Sequence, residues 1–124
     1  MTIHDAISLV DCLKPNQYSD ALKIQWLSKL DGQIFNEVFL SHEGCPADSF
    51  GGYDGEVSQT TALLAPPPYD EDLYSFFLQC SIDRENGETD KYNQSVALYN
   101  SAFANFQNYW NRTHLPLQSG QFRF

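Results

Sequence analysis

"YNQSVALYNSAFANFQNYWN" (Tyr92–Asn111) holds six aromatic rings and no charged side chain. Tyr92, Val96, Tyr99, Phe103, Phe106 and Trp110 recur within it at spacings of 4, 3, 4, 3 and 4. That is a heptad seam, the pattern of a long helix packed along one side. The opposite side carries Asn93, Gln94, Asn100, Ser101, Asn105, Gln107 and Asn108, with Tyr109 among them. An exposed helix ordinarily puts Lys and Glu there. An amide-rich, charge-free face with an aromatic in it is the composition that protein–protein contacts favour, because desolvating a charge is costly.

Upstream, Asn86-Gly87-Glu88 is a short turn, with Gly87 suited to a left-handed helix cap. It predicts a helical hairpin, the seam helix running from about Glu88 to Asn111 and pairing with a helix that opens at "YDEDLY" (Tyr69–Tyr74). Asp70 is the expected cap of that third helix, and Glu71 and Asp72 fall in its first turn, where the backbone dipole favours acids. Its apolar set is broad: Leu73, Phe76, Phe77 and Cys80, flanked by Leu78 and Ile82. That breadth marks it as the most buried helix. A first helix over Ile3–Leu13 follows from Ile3, Ile7 and Val10, with Thr2 as its cap, and Pro15 breaks the chain after it. A second is expected from a Ser19 cap to about Leu40, on Ile24, Leu27, Leu30, Ile34 and Val38. Gly32 inside it costs about 1 kcal/mol against Ala, a cost offset if a neighbouring backbone packs close.

Residues 41–68, "SHEGCPADSFGGYDGEVSQTTALLAPPP", are punctuated by glycine and proline and make an unusually long connection. Within them "VSQTTALL" (57–64) could form a short strand. The expected architecture is therefore all-α: a single four-helix domain over 1–124, with a C-terminal helical hairpin. A long irregular loop at 41–68 joins helices two and three, and residues 112–124 form an extended C-terminal arm.

A length of 124 residues, with 42% hydrophobic and 15% aromatic side chains, suits one folded domain. No apolar run is long enough to span a membrane, and the first residues carry acids where a secretion signal would carry bases. Cys12, Cys45 and Cys80 have no paired spacing and read as reduced cytosolic thiols. The net charge of −9 is uneven. Residues 41–90 hold eleven acids and one base, whereas residues 91–124 hold three bases and no acid. Such polarity suits head-to-tail contacts. Seven bases against sixteen acids disfavour gripping a nucleic-acid backbone.

His42, Glu43 and Cys45 cluster in the loop, but no nucleophile turn or partner motif surrounds them. No Cys or His spacing matches a metal site, and Asp48, Asp54 and Glu56 lack the order of a calcium loop. "FGGYDG" has no lysine and no following helix for phosphate. The expectation is a protein that is not an enzyme and carries no cofactor, metal or catalytic residue.

The proline–Tyr69–Asp70 entry, the Asn86-Gly87-Glu88 turn and the Tyr109–His114 ending belong to a longer pattern that includes "SKLDGQIFNEV" and "GYDGE". From Thr2 through "GQFRF", the chain resembles the head–tail connector (head-completion adaptor) proteins of tailed bacteriophages and Gram-positive prophages. The resemblance implies a structural virion protein that forms a ring of copies, docks on the portal and joins it to the tail. Portal and tail-neck proteins and copies of itself would be its partners. Duplex DNA would pass through the lumen without being specifically bound, and no membrane would be involved. It would reside in the host cytoplasm during assembly and in the virion neck afterwards. Candidate contact residues are Asn100, Asn105, Asn108, Tyr109, Arg112 and His114, together with Phe122, Arg123 and Phe124, whose aromatics and Arg have hot-spot composition. The alternative is an acidic DNA mimic that inhibits a host nucleic-acid-binding protein. It would need acids along a regular helix face, whereas these crowd into a loop and helix ends.

Overall fold

The structure is a computed structural model, and it describes residues 1–43, 49–53 and 60–115. Its elements are α1 (Ile3–Leu13), α2 (Asp20–Ile34), a π-helical turn (Phe35–Phe39), α3 (Tyr69–Asn86) and α4 (Thr89–Thr113). The domain is all-α, as the periodicity predicts.

Local chemistry sets most of the ends. Thr2 Oγ1 accepts from the Asp5 N–H at 3.1 Å, and the Asp5 carboxylate accepts from the Thr2 N–H at 3.2 Å. This reciprocal box caps α1, and the Thr2 N–H holds the Asp5 carboxyl below its ordinary pKa. Ser19 Oγ caps α2 by accepting from the Leu22 N–H. Gly87 ends α3 at φ +73°, where its N–H reaches the Arg84 carbonyl. That conformation suits glycine because no Cβ meets the backbone.

Three boundaries differ from expectation. α3 starts after Pro68 without a side-chain cap. Asp70 is buried instead and accepts from the Met1 amine at 2.8 Å, a tertiary contact outweighing a capping role. α2 changes to a π-turn at Phe35, closed by the Leu40 N–H on the Phe35 carbonyl at 3.0 Å. The wider turn seats Phe35, Val38 and Phe39 together in the core. α4 continues to Thr113, so the arm expected from 112 begins two residues later.

The helices pack as a hairpin with two companions. α3 and α4 run antiparallel: Tyr69 meets Tyr109 at one end with ring centroids 4.8 Å apart, Phe77 meets Tyr99 midway, and Asp83 meets Ser95 near the turn. α1 runs parallel to α3, tied by Met1–Asp70 at its start and Lys14–Asp83 at its end. α2 is antiparallel to α3, from Tyr18–Asn86 to Asp31–Tyr74. Ile3, Val10, Leu27, Ile34, Leu78, Ile82 and Phe106 fill the space between them. α3 carries the most buried residues of any element, but Asp70, Ser75, Ser81 and Asp83 are among them, and Phe76 and Phe77 of its expected apolar set are only half-buried. Along α4 the seam is fully buried only at Phe106 and Trp110. Ser95 and Ala102 occupy the innermost line instead, and Tyr92, Val96, Tyr99 and Phe103 are half-buried on its flank. Small side chains sit closest to α3 and displace the bulkier rings sideways.

No strand occurs among the described residues. Positions 57–59 of the expected strand lie outside them, and 60–64 show one isolated antiparallel bridge, Thr2 with Ala62. Leu63 and Ala65 are buried and Phe50 and Tyr53 pack against the core, so the described parts of the long loop lie on the helices rather than reaching away. Among the described residues no helix is long and apolar enough to cross a membrane.

Candidate functional site

Between Lys91 and Arg112 the outer side of α4 is an exposed strip without charge. Gln94, Leu98, Ser101, Asn105 and Asn108 follow one another at spacings of 4, 3, 4 and 3 on the side away from Phe106 and Trp110. Leu98 is 50% exposed in the middle of the strip, and Ala97 and Ala104 stand open beside it. Its apolar surface has no cover from the described chain. The periodicity that places Asn105 and Asn108 on this side also places Leu98 there, and that residue is absent from the predicted contact set.

Of the predicted contact residues, Asn100, Asn105, Asn108 and Arg112 are exposed on α4. Tyr109 is half-buried with its ring against Tyr69. His114 is half-buried as well, its ring stacked on Trp110 at 3.8 Å and 8°. Both aromatic rings therefore already have intramolecular partners. Phe122, Arg123 and Phe124 lie outside the described residues. Beside Asn105, a recess of about 270 Å³ is lined by Pro68, Tyr69, Asp72 and Ala102. It is smaller than the ~300–1,000 Å³ of usual small-molecule sites, so the strip is a surface rather than a pocket.

On the inner side of α4, Trp110 ties the end of the helix to the core. It stacks on Phe39 at 4.4 Å on one side and on His114 on the other. Its buried indole Nε1 finds no acceptor among the described residues. Just beyond it, the Glu43 N–H donates to the Leu115 carbonyl at 2.7 Å, joining the end of α4 to the start of the long loop.

The loop cluster of His42, Glu43 and Cys45 offers little chemistry. Cys45 lies outside the described residues. His42 Nδ1 is 2.7 Å from the Val38 carbonyl, and Nε2 is 2.6 Å from Asn111 Oδ1. Both ring nitrogens have partners, leaving neither open as a base or ligand. Among the described residues no group of three or more His, Cys, Asp or Glu is arranged to hold a metal.

The buried acid Asp31 is structural in geometry. Asp31 is fully buried; its Oδ1 accepts from Tyr74 Oη at 2.5 Å, and its Oδ2 accepts from Tyr53 Oη at 2.7 Å and the Leu64 N–H at 3.1 Å. Burial raises the Asp31 carboxyl pKa, and burial next to this charge raises both tyrosine hydroxyls. Every acceptor is committed to a donor of the fold, so no reactant-facing oxygen remains. Burial also pushes Tyr99 up to about 12 and raises the Cys80 thiol.

Comparison with known proteins gives no match to any protein family, curated protein or solved structure.

Proposed function

We propose that this protein is a non-catalytic structural virion protein, a head–tail connector that docks on the portal ring and joins it to the tail. It would assemble in the host cytoplasm, close into a ring with copies of itself, and remain in the virion neck. The observation that carries the reading is the charge-free stretch of the outer side of α4 from Gln94 to Asn108, with Leu98 exposed within it. Covering such a face desolvates amides and an aliphatic side chain instead of ions, which favours burial against another subunit. The sequence resemblance to connector proteins supplies the identity of that cover.

Charge supports the same reading. Two of the eleven acids in residues 41–90, Asp70 and Asp83, are buried against internal cations. Glu71, Asp72, Glu85, Glu88 and Asp90 remain exposed, at the two ends of α3 and the start of α4. A ring lumen lined by such acids would let duplex DNA pass without phosphate contacts. Acids at helix ends do not imitate the regular charge of a duplex, so the inhibitor reading gains no support.

Leu98→Glu tests the proposal directly. The variant should keep its thermal stability within about 0.5 kcal/mol, because surface changes away from special features are nearly neutral. It should fail to cosediment with portal rings that the unchanged protein binds. Undiminished portal binding and normal neck assembly by Leu98→Glu would overturn the reading.

A further inference from the structure

A second surface, on other helices, carries exposed cations. Trp26, Lys29, Leu30 and Gln33 fall on one side of α2 at helical spacing, facing Phe77 and Arg84, which are seven residues apart on α3. Together they line a groove of about 220 Å³. Trp26 and Leu30 are buried and form its floor, Phe77 is half-buried, and Lys29 and Arg84 are exposed on opposite banks.

The cations are the informative feature. Lys14, Lys23 and Lys91 each meet a carboxylate, at 2.6, 2.6 and 3.2 Å. Lys29 and Arg84 meet none among the described residues, although acids outnumber bases sixteen to seven in this chain. The third unpaired cation among them, Arg112, lies on α4. Two of the three therefore line one groove with an aromatic floor and wall.

We infer that the α2–α3 groove binds an acidic segment of a partner protein, with carboxylates on Lys29 and Arg84 and an apolar side chain over Trp26 and Phe77. An arginine fork accepts a carboxylate with two parallel hydrogen bonds, and aromatic surface beside it supplies the apolar half of such contacts. Seven helical residues span about 10 Å, the reach of about three extended peptide residues. Size and charge together select this occupant. A duplex would bring many phosphates into the field of a chain of net charge −9. A short acidic segment places only its few carboxylates within the ~8 Å over which charges act at physiological salt.

The test uses the full chain and a fluorescein-labelled peptide, acetyl-Asp-Glu-Leu-Phe-Asp-Glu-amide, followed by fluorescence anisotropy. Binding should be saturable, weaken with added salt, and be absent for the Asn/Gln analogue of the same peptide. Arg84→Glu and Lys29→Glu should each weaken it about tenfold or more, and Arg84→Lys should fall between, keeping the charge but losing the fork. Both residues are exposed and unpaired, so circular dichroism should be unchanged and melting should fall only slightly in Arg84→Glu, which removes a cation from the last turn of α3; Arg84→Gln and Lys29→Gln replace any reversal that fails to fold. Equal binding of the neutral analogue, no effect of the substitutions, or no saturable binding would sink the inference. Equal displacement of the peptide by duplex DNA would overturn it in favour of nucleic acid. Self-association of the unchanged protein that disappears in Arg84→Glu, measured by sedimentation, would overturn it in favour of a second copy.

Discussion

Asp31 brings three donors from two different parts of the chain onto one buried carboxylate: Tyr74 on α3, and Tyr53 and Leu64 from the long connection. Asp31→Ala leaves all three without an acceptor, and should cost about 3–5 kcal/mol in urea unfolding, the usual penalty for breaking a buried charged network. The pH dependence has a definite sign. Burial raises this carboxyl in the folded state, so its contribution is complete below the unfolded-state value and declines as pH climbs through the folded-state value. The stability gap between the unchanged protein and Asp31→Ala should therefore narrow as pH rises from the ordinary carboxyl value of about 4 through the raised folded-state value. Trp110→Ala should cost about 3–5 kcal/mol, because the ring is only 6% exposed and its removal leaves a void between Phe39 and His114. The seam makes Trp110 legible in the sequence. Asp31 is harder to read, since an acid normally signals an exposed position. Its place in the run Leu27, Asp31, Ile34, Val38 is the trace of burial that the helical period leaves.

Helix ends were legible where their cause is local and obscure where it is tertiary. Thr2, Ser19 and Gly87 cap the helices that the sequence assigns to them, because a cap bonds to backbone within a few residues. The packing of Phe39 at the end of the π-turn and the burial of Asp70 involve partners distant in sequence, Trp110 and Met1, which no short window along the chain contains. Two glycines make contrasting predictions. Gly87→Ala forces a side chain into positive φ and should lower stability by about 1–2 kcal/mol in thermal melts. Gly32→Ala should raise it by about 0.5–1 kcal/mol, because the added Cβ meets only the Phe50 ring at 3.9 Å. A side chain at ordinary contact distance, rather than a close backbone, stands beside Gly32.

Across the whole molecule, the all-α class and the hairpin follow from periodicity alone, whereas the way the helices are tied together does not. Lys14 donates to both oxygens of the fully buried Asp83, at 2.6 and 2.7 Å, and joins the end of α1 to α3. Removing this cation in Lys14→Ala strands a buried carboxylate and should cost about 3 kcal/mol, read as a shift in urea midpoint with an unchanged m-value. The packing of Leu63 and Ala65 against the helices was equally hidden, since a proline-rich connection reads as a free arm until its partners are known. The uncovered strip around Leu98 was visible in outline as a missing charge, though not as an exposed aliphatic. Asp83 also accepts from Ser95 on α4 at 2.6 Å, so three distant stretches of polypeptide converge on one side chain. Across any set of homologues, positions 14, 83 and 95 should therefore change in concert. A lone replacement at 83 would leave a stranded ammonium and an idle hydroxyl, whereas a simultaneous exchange of all three for apolar groups could preserve the junction.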